Sequence, residues 1–303
     1  MKVNSNTLAL STGGVEATLI KEGKLMLAPA MAFLGIFSFL PLAFTLIFSV
    51  LRYRLLIPHI PSFCNMQNFF RLFTDSQFLE SVGHTAEIVF TVILLSVVGG
   101  LALAFLLNHE IPGKKLVRML VISPFFIIPT VGALIWKNLL LDPAGGVFSI
   151  IFRQFGLAPV DTFAVMPMAM IILIVVWQWL PFATLILLTS LQSLDTDQLE
   201  AADLDGAKGW DCLLHITLPH LMRPITIVVL MELLYLMAIF AEILVTTAGG
   251  PGSATTNLTY YIYSKALLEF NVGTAAAAGL LAVVIANGIT FVMTKQIKRS
   301  VGL

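Results

Sequence analysis

Six long apolar segments decide what kind of fold this sequence can adopt. An α-helix needs roughly 20 consecutive apolar residues to cross the hydrocarbon core of a bilayer. The segments cover residues 25–51, 88–107, 119–136, 166–189, 224–245 and 274–294. Only 11% of the 303 residues are charged, against about 25% in soluble domains. A soluble enzyme, a nucleic-acid-binding protein and a disordered chain are therefore excluded. The sequence predicts an all-α polytopic membrane protein with six transmembrane helices in a lipid bilayer.

The first segment resembles a signal peptide in its position, and the third is interrupted by prolines. The first runs for 27 residues, which is longer than the apolar region of about 7–15 residues in a cleaved signal peptide, so we expect it to remain as a helix. The third contains Pro124 and Pro129. Neighbouring helices can satisfy the backbone groups that a proline frees, and we therefore also predict a span there.

The basic residues predict the orientation. Loops on one side carry 11 Lys and Arg residues, against 6 on the other, and the richer side is normally cytoplasmic. We therefore expect both termini in the cytoplasm. This gives a cytoplasmic N-terminal segment (1–24), a transmembrane domain (25–299) and a short cytoplasmic tail (300–303). The longest cytoplasmic loop, 190–223, belongs to the membrane domain.

This loop has a helical pattern of its own. Asp197 is placed to cap a short helix, and Glu200 three residues later completes a capping box. Gly206 can end that helix, because glycine adopts a positive φ readily. A second amphipathic stretch runs from Trp210 to Pro219. The pattern predicts a helix-turn-helix on the inner face of the membrane, although a solvated connector would also fit an ordinary loop of this length.

The residues of the loop match a known signature. Glu200-Ala201-Ala202, Asp205-Gly206-Ala207 and Ile216-Thr217-Leu218-Pro219 resemble the EAA motif of binding-protein-dependent ABC importer permeases. Further along, Thr247-Ala248-Gly249-Gly250-Pro251-Gly252 resembles the end of the fifth helix in the carbohydrate (maltose-permease-like) branch. The resemblance implies that one set of residues couples the chain to an ATPase. These residues are Leu199, Glu200, Ala201, Ala202, Asp205, Gly206 and Ala207.

The resemblance also implies a fold, a function and a set of partners. It implies the type I ABC importer permease fold and half of a translocation pathway for a sugar or polyol in the cell inner membrane. The partners would be a second homologous permease subunit, two cytoplasmic ATPase subunits and a periplasmic solute-binding protein. Phe240-Ala241-Glu242-Ile243 favours the polyol-transporting members.

The sequence lacks the motifs of an ATPase or a metalloenzyme. It contains no G-x-x-x-x-G-K-[ST] loop, and its histidines do not cluster at the spacing of metal ligands. We therefore expect no catalytic residue, metal or cofactor in this chain, and expect ATP and magnesium to bind to the partner ATPase.

Two carboxylates lie within the fifth apolar segment and are candidates for the pathway, because a charge is costly inside a membrane. On a helical wheel, Glu232 shares a face with Tyr235, Leu236 and Ile239, and Glu242 lies at the edge of that face. The resemblance places the sugar-contacting positions on Glu232, Leu236 and Ile239, and on Trp179 and Phe182 in the fourth segment. Two alternatives stay open. Glu232 could make a structural hydrogen bond to a neighbouring helix, and Glu242 could extend its carboxylate towards the membrane surface.

Two other functional classes have sequence patterns that differ from this one. A secondary transporter would show two similar halves with interrupted helices at matching positions, and the sequence shows no such repeat. An intramembrane enzyme would need paired polar catalytic residues at one depth, and only isolated carboxylates occur.

Overall fold

The computed structural model describes residues 5–57, 61–110 and 112–301, without the side chains of residues 5–25, 196, 203 and 296–301. Its α-helices are α1 (Ser5–Ser49), α2 (Gln67–Thr74), α3 (Ser76–Asn108), α4 (Lys114–Ile122), α5 (Pro129–Leu134), α6 (Val147–Gln154), α7 (Thr162–Val165), α8 (Pro167–Gln192), α9 (Thr196–Leu204), α10 (Gly209–Cys212), α11 (Leu218–Leu236), α12 (Ala241–Thr246), α13 (Leu258–Tyr263) and α14 (Val272–Val301). A 3-10 turn, Ser123–Phe126, continues α4, and π-helical turns continue α5 (Ile135–Leu140), α10 (Leu213–Thr217) and α13 (Ser264–Leu268). The strands are β1 (Leu51–Arg52) and β2 (Ser62–Phe63).

The described helices agree with six predicted membrane crossings. Five of them are long and apolar enough to cross a bilayer, and the number reaches six when one bent pair of helices is counted as a single span. The fourth and sixth predicted segments match α8 and α14, and the second forms the inner part of α3. The predicted cytoplasmic segments, 1–24 and 300–303, are described only in part. Residues 1–4 and 302–303 lie outside the described residues, and the helix α1 already begins at Ser5.

The third span is broken in its middle. Its two halves, Lys114–Phe126 and Pro129–Leu140, are bent by 102°. The residue before a proline is disfavoured in the helical conformation, and Ile128, which precedes Pro129, has an extended ψ of 132°. The predicted third span is therefore interrupted at its prolines, because Pro129 begins a new helix.

The fifth span is also broken. The helix α11 ends at Leu236, and α12 begins only at Ala241 after Phe240 adopts a φ of −147°. Side chains from the segment that follows satisfy the freed backbone: Asn257 Nδ2 donates to the Ile239 carbonyl at 2.6 Å, and Thr259 Oγ1 donates to the Met237 carbonyl at 3.3 Å. This is how a helix can be interrupted at membrane depth.

The core lies where α3, α8 and the two halves of the fifth span meet. The helices α3 and α8 pack closely along their lengths. A Cβ at Gly100 would lie 2.8 Å from the Ala183 Cβ, so this contact depends on a residue without a side chain. The first helix, α1, packs against α14 at the edge of this bundle.

Candidate coupling surface and translocation pathway

The loop between the fourth and fifth spans forms a short helix and a sharp turn. The helix α9 is capped by Asp195, whose Oδ1 accepts a hydrogen bond from the Asp197 backbone N–H at 3.0 Å. The predicted cap at Asp197 is thus wrong by two residues, because Asp197 already lies in the first turn of α9.

Gly206 ends α9 as predicted. It has a φ of +83°, and the Ala207 N–H bonds back to the Ala202 carbonyl at 3.0 Å. This is the closing bond of a left-handed helix end, where glycine avoids the steric cost that a Cβ would bring.

The second helix of the loop is part of the fifth span rather than a separate element. Residues Gly209–Leu236 run as one helix, and a π-helical turn, Leu213–Thr217, lies immediately before Pro219. A proline ring would clash with the carbonyl four residues earlier in a regular α-helix, and the wider π turn accommodates it. The prediction that Pro219 ends this helix is therefore wrong.

The two sides of the loop differ in their surroundings. Leu199 lines a cavity of about 400 Å³ beneath α9, together with Phe105 of α3 and Leu191 of α8. On the other side, Leu204 is 90% exposed and Trp210 is 73% exposed. Large apolar side chains exposed beside a polar surface mark protein contact sites. We call the surface around the α9–Gly206 turn the coupling surface.

The predicted coupling residues divide between these sides. Glu200, Ala201, Asp205 and Gly206 are exposed, whereas Leu199, Ala202 and Ala207 are half-buried. The base of the loop is held by His220 of α11, whose Nε2 lies 3.1 Å from the Ser190 carbonyl at the end of α8.

Three of the predicted pathway residues form one aromatic cluster. The rings of Trp179 and Phe182 lie 5.5 Å apart, and the Trp179 and Tyr235 rings lie 4.5 Å apart. All three side chains are half-buried in the single chain. We call Phe125, Trp179, Phe182 and Tyr235 the aromatic cluster, because Phe125 stacks on Phe182 at 5.5 Å.

Glu232 lies inside the subunit rather than in this cluster. It is fully buried, and Ser96 of α3 donates a hydrogen bond to its Oε2. Leu236 and Ile239 are buried in the core between α3 and α8. The face on which the helical wheel places these three residues is covered in this structure, because α11 ends at Leu236 and the residues pack against α3 and α8. The position of Glu232 agrees with the alternative stated above, a structural hydrogen bond to a neighbouring helix.

Glu242 is buried as well. Its Oε1 accepts a hydrogen bond from the Tyr235 hydroxyl at 3.3 Å, and only 1% of the residue is exposed. A carboxylate that extends to the membrane surface does not fit this burial. Glu242 instead joins α12 to the aromatic cluster across the break in the fifth span.

Comparison with known proteins decides the family. Residues 96–302 match the family described as the binding-protein-dependent transport system inner membrane component. The chain belongs to this family. The permease is 33% identical over 264 residues to the probable ABC transporter permease protein y4oQ of Sinorhizobium fredii, covering 86% of this chain and 85% of that protein. It is 30% identical to the trehalose/maltose transport system permease protein MalF of Thermococcus litoralis, covering 92% of this chain and 95% of that protein.

Solved structures support the fold of the permease. A chain of a bacterial alginate ABC transporter, solved in complex with an alginate pentasaccharide-bound periplasmic protein, aligns with a TM-score of 0.79 and 23% identity. The alignment covers 95% of this chain and 96% of that chain. This likeness shows the type I importer fold, and family membership shows a multi-pass inner-membrane protein. The secondary transporter considered as an alternative is excluded by family membership.

Sequence reasoning missed two residues of the permease that the breaks bring to the site. Phe125 lies in the 3-10 turn where the third span bends, and the two flanking prolines were the signal for it. Lys137, beyond the same bend, donates to the Val245 and Thr246 carbonyls at the end of α12, at 3.2 and 2.5 Å. A positive charge at a helix C-terminus is stabilising, so Lys137 joins the second halves of the two broken spans.

Proposed function

We propose that this permease forms half of the translocation pathway of an ATP-driven importer for a sugar or polyol. The second half would come from a homologous permease subunit, and a periplasmic solute-binding protein would deliver the ligand. The similarity to a trehalose/maltose permease supports the substrate class. Both termini and the coupling surface would face the cytoplasm, in agreement with the excess of basic residues on that side.

The observation that carries this proposal is the coupling surface. The helix α9 packs on the bundle through Leu199 and exposes Leu204 to a partner. A movement of a cytoplasmic partner bound there can therefore be transmitted to α3 and α8. The exposed acidic residues Glu200 and Asp205 place negative charge on the surface that contacts this partner. Two ATPase subunits would bind ATP and magnesium, and the permease itself would contribute no catalytic residue, metal or cofactor.

The aromatic cluster is our candidate for the ligand contact. Aromatic faces suit the apolar C–H face of a sugar ring, and the Tyr235 hydroxyl adds a hydrogen-bonding group. The cluster joins the bend of the third span to the break of the fifth. A change at either break would therefore move its rings, which links it to the helices that the coupling surface contacts.

Photo-crosslinking tests the docking of the ATPase. A benzophenone amino acid in place of Leu204 or Trp210 should crosslink to the ATPase subunit in the assembled complex. The control position is Val284 on α14, which is 66% exposed but lies within a membrane span. Crosslinks to the ATPase from Val284, or none from the two loop positions, would contradict the proposal.

A further inference from the structure

Three arginines line a single cavity on the side of the molecule opposite the coupling surface. Arg52, Arg54 and Arg71 surround a space of about 510 Å³, together with Asn68 and Asn271. All three arginine side chains are exposed. Within the described part of the chain none of these three side chains forms an ion pair, and the only hydrogen bond that any of the three donates runs from Arg52 Nη2 to Gln67 Oε1 at 2.8 Å. Such a cavity attracts an anion.

The nearby carboxylates are already engaged elsewhere. Asp75 accepts a hydrogen bond from the Tyr261 hydroxyl at 2.6 Å and lies 4.0 Å from the Lys265 ammonium. Glu269 pairs with Lys265 at 2.8 Å. The positive charge of the three arginines is therefore not neutralised by these groups.

The wall of the cavity is held in place by the fold. Asn68 is 3% exposed, and its Nδ2 donates to the Ser49 and Leu51 carbonyls at 2.8 and 3.0 Å. The Gly273 N–H donates to the Tyr53 carbonyl at 3.1 Å. A Cβ at Gly273 would lie only 2.2 Å from the Leu51 carbonyl oxygen. The hairpin that carries Arg52 and Arg54 is thus fixed against the start of α14.

The ends of two membrane helices border the cavity, so we expect it at the level of the lipid headgroups. The membrane helix α1 ends at Ser49, three residues before Arg52, and α14 begins at Val272, directly after Asn271. Arginines at the end of a span place their guanidinium groups at the membrane–water interface.

A groove for an apolar chain lies beside this cavity. It has a volume of about 410 Å³ and lies between α1 and α14. Phe48 and Val272 line the end near the arginines, and the small residues Ala275, Ala276 and Gly279 leave room for the chain. The lining residues of α14 reach Val283, which corresponds to about 16 Å along a helix. Val272 follows Asn271 of the arginine cavity, so the groove enters the membrane from the headgroup level.

Exposed aromatic residues lie on the elements that carry the arginines or pair with them. Phe63 and Phe70 are 70% and 71% exposed, and Phe73 is 58% exposed. They lie on β2 and on α2, the short helix that carries Arg71. Aromatic side chains are enriched at the membrane interface, and a basic pocket at the end of membrane helices is typical of phospholipid headgroup recognition.

We propose that the cavity and the groove together bind one anionic phospholipid, from the leaflet opposite the coupling surface. The phosphate group contacts Arg52, Arg54 and Arg71, and one acyl chain occupies the groove between α1 and α14. The lipid would hold α1 against the bundle at its outer end. This binding site goes beyond the proposed transport function and does not depend on the identity of the transported ligand.

Lipid binding to the purified importer complex tests the proposal. The thermal stability of the delipidated complex is measured against increasing phosphatidylglycerol, phosphatidylcholine or inorganic phosphate. Phosphatidylglycerol should stabilise the wild-type complex at lower concentration than phosphatidylcholine does. Arg54→Gln/Arg71→Gln should weaken this effect by roughly 30-fold, if each surface arginine contributes its usual share. Neither side chain donates a hydrogen bond in the described structure, so the variant should still fold.

Two further variants separate the possible ligands. Gly279→Leu fills the groove, where a Cβ meets nothing within 4 Å, and should weaken phosphatidylglycerol binding with all arginines present. Arg153→Gln removes an external arginine outside the cavity and should leave lipid binding unchanged. An equal response to both lipids, or no loss in the double variant, would overturn the proposal. Equal stabilisation by phosphate alone would overturn the lipid assignment, and weaker docking of the solute-binding protein with unchanged lipid binding would indicate an acidic protein surface instead.

Discussion

The conformation of Gly206 makes a sharp prediction about coupling. Gly206→Ala adds one methyl group at a φ of +83°, whereas Gly209→Ala adds the same group at a position without a positive φ. In both places an added Cβ meets nothing within 4 Å. The two substitutions therefore differ in backbone strain and not in packing, which makes Gly209→Ala a matched control.

The size of the effect follows from the cost of the left-handed conformation. For a residue with a Cβ this cost is about 1–2 kcal/mol, so the turn that ends α9 should lose roughly 5-fold to 30-fold in population against competing conformations. The bond from the Ala207 N–H to the Ala202 carbonyl would be lost in those conformations. Because this turn lies between the exposed Leu204 and Trp210, the ATPase should bind more weakly by a similar factor.

The assay measures binding of the purified ATPase to permease variants in nanodiscs, together with transport-coupled ATP hydrolysis. Gly206→Ala should lower both, and Gly206→Val should lower them further, because a β-branched residue is more strained at a positive φ. Membrane insertion and yield should not change. If Gly206→Ala and Gly209→Ala bind the ATPase equally well, the turn conformation does not matter for coupling and the reasoning is refuted.

Three further predictions concern the interior of the permease. Trp179→Ala removes the ring that links the aromatic cluster, and each ring pair contributes about 0.5–1.5 kcal/mol to its stability. The substitution should raise the KM of uptake several-fold. An unchanged KM would remove the cluster from the pathway. Glu232→Leu removes the hydrogen bond from Ser96 and leaves that hydroxyl only the Ile93 carbonyl, at 3.2 Å, at a cost of about 0.5–1.5 kcal/mol. It should lower the melting temperature without changing KM, whereas Glu232→Gln should have little effect. A KM change in the Gln variant would return Glu232 to the pathway. Burial, and secondly the hydrogen bond to Asp75, raise the pKa of the Tyr261 hydroxyl. The stabilising contribution of this hydroxyl should therefore be complete below about pH 10 and be lost as the pH rises above that value. A Tyr261→Phe variant with the wild-type melting temperature at pH 7 would contradict this.

Five of the membrane helices and the end of the short helix α9 could be predicted from the sequence because both depend on local patterns. Span length follows from runs of apolar residues, and the end of α9 follows from a glycine that tolerates a positive φ. Even there the cap was misplaced, because Asp195 and Asp197 are equally good capping residues and only the start of the helix distinguishes them.

The breaks in the third and fifth spans could not be derived in the same way. The break after Leu236 is stabilised by Asn257, which lies 18 residues beyond the carbonyl that it satisfies. Apolar content alone does not reveal such a partner. The bend at Pro129 had a local signal, but the sequence did not show whether neighbouring helices would keep the span straight.

The position of Glu232 shows the limit of a helical wheel. A wheel gives the face on which a side chain lies, but not what that face meets. The partner of Glu232 is Ser96, 136 residues away on α3, and only tertiary packing places the two together. The aromatic residues Trp179 and Tyr235 did meet, although they come from different spans.

ATP-dependent uptake in proteoliposomes tests the central claim most directly. The permease is reconstituted with its partner permease, the ATPase and the solute-binding protein, and uptake of labelled sugars and polyols is measured with each component omitted in turn. We predict that uptake requires ATP, the ATPase and the binding protein, and that it is lost when this permease is omitted. Uptake that continues without the ATPase, or that proceeds equally well without this chain, would contradict the claim.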